Sequence, residues 1–143
     1  MKIDKIIKTD PDKRYRSVLA TSTLKGDAVR NSAGDNLGKI EEIMIDVPKG
    51  SIAYAVLSFG GFLGIRDKLF AIPWSLLRVD EDQRCCVLDV EKSVLESAPG
   101  FDKDNWPDMG DTKWASAVLA YYHVEPDWED TVRKVYRSGG GGL

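Results

Sequence analysis

The stretch from Ser51 to Trp74, SIAYAVLSFGGFLGIRDKLFAIPW, constrains this chain more than any other. Ser51–Phe59 is apolar on both parities, with Ile52, Tyr54 and Val56 on one and Ala53, Ala55, Leu57 and Phe59 on the other. A strand with one wet face alternates. One that is apolar throughout is buried on both faces or lies in a closed barrel. Residues 69–74 read as the return strand, with Phe70, Ile72 and Trp74 on one parity. The loop between them sets Gly60, Gly61 and Gly64 beside Phe62, Leu63 and Ile65, then closes on Arg66, Asp67 and Lys68. Glycine permits a tight backbone there, but apolar side chains in a loop are unfavourable in water unless something covers them. Such a loop either folds back on the core or is offered to a partner. Phe62, Leu63, Ile65, Arg66 and Trp74 are therefore the candidate partner-binding residues, because apolar anchors beside an arginine are what interface centres favour.

The flanking sequence predicts more strands. Residues 18–24 and 28–31 read as short strands with Gly26 at the bend, and Asn31-Ser32-Ala33-Gly34-Asp35-Asn36 is a turn cluster that suits a hairpin. In residues 37–47, Ile43, Ile45 and Val47 share one parity and Ile40 lies on the other. That switch predicts a bulge at Glu41-Glu42, of the kind that lets a sheet curl. Pro48-Lys49-Gly50 turns the chain into the opening strand. Past Trp74, residues 75–77 make a corner and 77–80 a strand. Glu81-Asp82-Gln83 turns, and residues 84–90 form a last strand with Cys86, Leu88 and Val90 on one side. Six or seven short strands with no intervening helix exclude a βαβ layout and predict a mainly β fold, a barrel or a sandwich.

The C-terminal third changes character. Residues 92–98 predict a short helix with Ser93 and Glu96 spaced as a capping box, ended by Pro99-Gly100. Asp111 reads as the N-cap of a helix over 112–122, with Trp114, Ala117, Val118 and Tyr121 as its apolar face. Trp106, Trp114, Tyr121 and Tyr122 are expected to pack this segment onto the β domain. Trp128, Val132, Val135 and Tyr136 also have helical spacing, in a short polar segment, and four consecutive glycines precede Leu143. The expected division is an N-terminal arm (1–17), a β domain (18–101), a C-terminal extension with a helix (102–137) and a flexible glycine tail (138–143).

Composition narrows the function classes. The 143 residues are 43% hydrophobic and 30% charged with a net charge of −3, which fits one ordinary globular domain and disfavours a large nucleic-acid-binding face. No run of eighteen apolar residues exists, and the charged first residues hold no apolar signal core, so the expectation is a cytoplasmic protein without a transmembrane segment. Cys85 and Cys86 are adjacent and would point to opposite faces of a strand, which suits neither a mutual disulfide nor a shared metal. His123 is the only histidine and has no neighbouring ligand spacing. Gly60-Gly61-x-x-Gly64 opens onto a strand rather than a helix, so no helix N-terminus waits for a phosphate. Glu41, Glu42 and Asp46 read as a solvated strand face, and Asp102, Asp104, Asp108 and Asp111 do not match a calcium loop. No catalytic residue, cofactor or metal is expected.

Three runs carry a resemblance: LKGDAV from Leu24, GDNLGKIEEIMID from Gly34, and GSIAYAVLSFGGFLGIRDKLFAIPW from Gly50. With Leu88, Leu95, Ala98-Pro99 and Phe101, they resemble the PRC-barrel domain over roughly residues 18–101. That family is named for the cytoplasmic domain of the H subunit of the purple-bacterial photosynthetic reaction centre, and a similar domain forms the C-terminal half of a ribosome maturation factor. Arg66 stands where the family pattern has glycine after GGFLGI, which adds a charge to the loop. The resemblance implies a small β-barrel of about six strands, here with a C-terminal helical extension, acting as a binding or assembly module without shared catalytic residues. The expected partner is a protein, in the simplest case a second copy in a homodimer. The alternative is an RNA- or ribosome-assembly-associated domain using Lys2, Lys5, Lys8, Lys13, Arg14 and Arg16.

Overall fold

The computed structural model describes residues 17–59 and 68–126. In chain order the elements are α1 (Thr21–Leu24), β1 (Ala28–Arg30), β2 (Asn36–Asp46), β3 (Ser51–Phe59), β4 (Lys68–Pro73), a 3-10 turn (Trp74–Leu76), β5 (Leu77–Asp80), β6 (Cys85–Leu88), α2 (Lys92–Glu96) and α3 (Thr112–Tyr121). The six strands form one sheet in the order β4-β3-β2-β1-β6-β5. All neighbours are antiparallel except β1 and β6, which run parallel. The fold is mainly β, a curled six-stranded half-barrel carrying a C-terminal helix, as the sequence led us to expect.

The curl has a local cause. β2 and its partners lose register between Val29 and Arg30, between Ile40 and Glu42, and between Met44 and Ile45. The second break is the bulge expected at Glu41-Glu42. Each extra residue bends and twists the strand. As a result Leu37, Ile40 and Ile43 are all buried although they stand three residues apart, a spacing a flat strand would send to both faces.

β3 is the centre of the sheet's long arm. Ala55 and Leu57 are fully buried among the core residues Ile40, Phe70, Ile72 and Leu88. On the other parity Tyr54 meets Trp114 of α3, ring to edge with centroids 5.5 Å apart. Helix α3 thus supplies cover on the second parity of a strand that is apolar on both. The edge of β4 is tied as well: Leu69 and Phe101 exchange two backbone hydrogen bonds of 2.9 Å. The buried Asn31 joins the β1–β2 turn to the segment after β6, its Nδ2 donating to Asp35 Oδ2 and to the Val90 carbonyl, both at 3.1 Å.

Several sequence expectations are corrected. Residues 21–24 are helical, not extended. A strand needs a neighbour for its hydrogen bonds, and β1 is already flanked by β2 and β6. The segment closes its bonds locally instead (Thr23 N to Ala20 O, 2.9 Å; Lys25 N to Thr21 O, 3.0 Å). The expected capping box in α2 does not form, because the N-cap is Glu91, its side chain makes no capping bond, and Ser93 lies inside the helix. The last strand is shorter than 84–90. The expected N-cap of α3 is present: Asp111 accepts from the Lys113 N–H at 2.9 Å. The buried face of α3 is turned from the one expected. Ala115, Val118, Leu119 and Tyr122 are buried while Ala117 is exposed. The helix closes on His123, whose φ is 59°. Its N–H reaches the Ala120 carbonyl (3.2 Å) and the Val124 N–H reaches that of Leu119 (2.9 Å), the paired bonds of a Schellman motif with histidine where glycine is usual.

Candidate functional site

Of the five candidate partner-binding residues, Phe62, Leu63, Ile65 and Arg66 lie outside the described residues. The pairing of β3 with β4 decides where Trp74 stands in the hairpin. Phe59 pairs with Lys68 at the loop end of the hairpin and Tyr54 with Pro73 at the other. Five strand residues separate the two ends, about 17 Å at the usual rise. Trp74 follows Pro73, so the structure places it at the opposite end of the hairpin from Phe59 and Lys68.

What Trp74 does line is a groove of about 830 Å³, walled by the end of the β2–β3 hairpin on one side and by α3 and its C-terminal turn on the other. Three pieces of sequence converge there. The Pro48-Lys49-Gly50 turn carries the β2–β3 hairpin past the edge of the core. Ile45 and Val47 continue the alternation of buried Ile43, yet they are 58% and 82% exposed. From β3 come Ile52 and Ala53, and from the strand-to-turn junction Pro73 and Trp74. From the C-terminal extension come Met109, Ala115, Leu119 and Val124. The Schellman turn at His123 directs Val124 back toward Leu119, and both line the groove. Its charged lining residues are Asp46, Lys49 and Glu125, and Asp46 Oδ1 accepts the Lys49 backbone N–H at 3.1 Å. The chemistry on offer is apolar contact with a charged rim.

The other candidates from the sequence are engaged elsewhere. Glu42 pairs with Lys25 at 3.3 Å and its other oxygen accepts the Ile43 N–H. Asp108 Oδ1 accepts the Gly110 N–H at 2.9 Å, and Asp111 caps α3. Cys85 and Cys86 are both free thiols and both buried. Burial first, then the charge of Asp27 and the neighbouring Cys85, pushes the Cys86 thiol up to about 11. The Asp89 carboxyl is held below its usual range, chiefly by the hydroxyl of Ser32, which donates to it, although Asp89 is exposed. Among the aromatics, Trp106 packs on Phe101 and donates from its indole N–H to the Lys103 carbonyl at 2.8 Å. The Tyr121 hydroxyl donates to the Val94 carbonyl at 2.5 Å, tying α3 to α2. Burial, with a smaller effect from Tyr121, pushes the Tyr122 phenol above its ordinary value.

The groove was not foreseen from the sequence. Ile45, Val47, Leu119 and Val124 lie up to about eighty positions apart. The available signal was the pair of β-branched apolar residues just before the Pro48-Lys49-Gly50 turn, where a solvated hairpin end has no need of them.

The PRC-barrel domain matches this chain over residues 17–95, which takes in all six strands. The chain belongs to the PRC-barrel family. Its groove lies where that domain meets a C-terminal extension, since Met109, Ala115, Leu119 and Val124 all fall beyond the match. Among solved structures, this PRC-barrel is similar to a protein from Pseudomonas aeruginosa named as a 16S ribosomal RNA processing protein, RimM. The identity is 17% and the TM-score 0.39, over 59% of this chain and 50% of the other. The chain thus spans half the length of that protein. The comparison with curated proteins found no match. Among the described residues, no helix is long and apolar enough to cross a membrane.

Proposed function

We propose that this PRC-barrel protein is a non-enzymatic interaction or assembly module of the cytoplasm, and that it self-associates as a homodimer. The observation that carries the reading is the exposed apolar pair Ile45 and Val47 in the lining of the groove. Ile45 and Val47 stand 58% and 82% exposed beside Trp74, although both are β-branched residues that lose free energy in water. An exposed apolar patch bounded by charged residues is the form that partner-binding surfaces take. Phe62, Leu63, Ile65 and Arg66, which lie outside the described residues, remain in this reading as further candidate contacts from their apolar and basic side chains alone. In a homodimer either patch meets a copy of the same sequence, so one set of apolar side chains serves both sides.

The test is the solution mass of the full chain by light scattering across a concentration series. Wild type is expected to reach twice the monomer mass. Val47→Asp and Phe62→Asp are each expected to weaken association while leaving the far-ultraviolet circular dichroism unchanged. A wild type that stays monomeric at the highest concentration removes self-association. Retention of ribosomal RNA in a gel shift that is lost steeply with salt would instead favour the ribosome-assembly reading, whose basic residues, Lys2 to Arg16, lie outside the described residues.

A further inference from the structure

The end of the β2–β3 hairpin projects from the sheet. β1 pairs with β2 only as far as Lys39, and β4 with β3 only between Tyr54 and Phe59. The last rungs, Ile45 with Ile52 and Asp46 with Ser51, therefore have no strand beside them among the described residues. A register break between Met44 and Ile45 bends the hairpin just before them. The tip is apolar: Val47 is the most exposed of the large apolar side chains described, and Ile45 stands just before it on the same parity. Its backbone is also closed on itself. Pro48 has no N–H, the Lys49 N–H donates to Asp46 Oδ1 at 3.1 Å, and the Gly50 N–H donates to the Asp46 carbonyl at 2.8 Å. Such a turn can enter an apolar cleft without leaving those donors unpaired, and unpaired donors are what make the burial of a loop costly.

We infer that the occupant of the groove is the hairpin tip, residues 45–49, of a second copy of this chain, and that the exchange is reciprocal. Val47 of each tip lies against Leu119 and Val124 of the other molecule, and Lys49 of each tip lies beside the other's Glu125. This rests on the self-association reading and names the segment that performs it. Two features commit the groove to this occupant. The tip and the groove adjoin, because the hairpin end is itself one wall. A single two-fold axis near Val47 can therefore bring each tip to the other's groove, and the contact closes at two molecules instead of running on as a filament. The charges also match. The groove is lined by Asp46, Lys49 and Glu125, and Asp46 Oδ1 is already engaged within the turn. Exchange thus sets the ammonium group of each tip against the Glu125 carboxylate of the other molecule, which fixes the register of the apolar contact.

The test is charge reversal followed by mixing, on the full chain, with association read by light scattering across a concentration series. Lys49 and Glu125 are both exposed, so reversing either should leave the far-ultraviolet circular dichroism unchanged. Lys49→Glu alone sets two carboxylates against each other at both contacts, and Glu125→Lys alone sets two ammonium groups. Each is expected to weaken association by about tenfold or more, the usual result of like charges meeting at an interface. Mixed in equal amounts, the two variants should associate with each other nearly as tightly as wild type does. In that mixed pair one contact keeps its native charges and the other has both reversed. A repulsion confined to one molecule would survive mixing, so recovery reports a contact between molecules. Single variants that associate as wild type does, or a mixture that fails to recover, would overturn the exchanged hairpin and leave the homodimer standing. The groove would then belong to another occupant, such as the segment with Trp128, Val132, Val135 and Tyr136 at helical spacing, which lies outside the described residues. A wild type that stays monomeric throughout would remove both the exchange and the self-association it rests on.

Discussion

Gly38 tests whether the curl of the sheet depends on a close approach of backbones. It lies in β2 at a φ of +109°, paired with Val29 of β1. A methyl placed on it would run into the carbonyl oxygen of Ser58 on β3 and come within 3.3 Å of the Phe59 Cα. Gly34, in the preceding turn, is the control. Its φ is +90°, yet nothing stands within 4 Å of a methyl built there. The conformational penalty of a Cβ at positive φ, about 1–2 kcal/mol, is common to both. Only Gly38 adds an overpacking cost, about 1–3 kcal/mol, because the atoms it meets are backbone and cannot rotate away. Gly34→Ala should therefore lose about 1–2 kcal/mol and Gly38→Ala about 2–5 kcal/mol. At about 3 °C per kcal/mol, the melting midpoints should fall by about 3–6 °C and about 6–15 °C. Urea titration of both variants, with the denaturant slope unchanged, measures the difference directly. Losses equal within about 0.5 kcal/mol would refute the close approach and return both effects to φ alone.

Other consequences follow from single side chains. Cys86 is held up at about 11, so the native thiol should resist iodoacetamide at pH 8 and react only after unfolding, which mass spectrometry reads. Because the folded chain keeps that proton while the unfolded thiol releases it near 9.0, stability should be full below pH 9 and fall as pH rises toward 11. Cys86→Ala should flatten that slope. Asp111→Ala removes the N-cap bond of α3 and should cost about 1 kcal/mol in urea titration, while an Asn replacement should cost far less. The Tyr122 hydroxyl is buried and, among the described residues, has no hydrogen-bond partner. Tyr122→Phe should thus be neutral or stabilising by about 1 kcal/mol, and a loss of stability in calorimetry would reveal a partner for that oxygen.

The parts of the fold that could be read along the chain are those whose cause is local. β3 starts and stops where its apolar run does, between the Pro48-Lys49-Gly50 turn and the glycines. The bulge at Glu41-Glu42 showed as a parity switch, and Asp111 as a cap three residues before the half-buried Trp114. Errors came where two local patterns competed. Val18, Leu19 and Leu24 looked extended, but neighbouring β1 is already flanked by β2 and β6, and residues 21–24 satisfied their hydrogen bonds in a helical turn instead. On α3, Ala117 and Ala115 are equally apolar, and only the position of Tyr54 and the core decides that Ala115 faces inward.

The candidate site divides in the same way. The apolar character of Trp74 and of the loop residues is written in the sequence, because it belongs to each side chain. The place of Trp74 is not. It follows from the antiparallel pairing of Phe59 with Lys68 and Tyr54 with Pro73, which puts Trp74 at the other end of the hairpin from Phe59 and Lys68. Likewise the parallel contact of β1 with β6 joins residues 28–30 to 85–87 across more than fifty positions, and no local signal records it. Sequence alone determined the strands, the turns and a barrel-like sheet, since these depend on spacing and backbone preference within about ten residues. Tertiary structure alone decided that Ile45, Val47, Trp74, Leu119 and Val124 share one groove. A groove is defined by which distant surfaces meet, and that is a property of the packed chain.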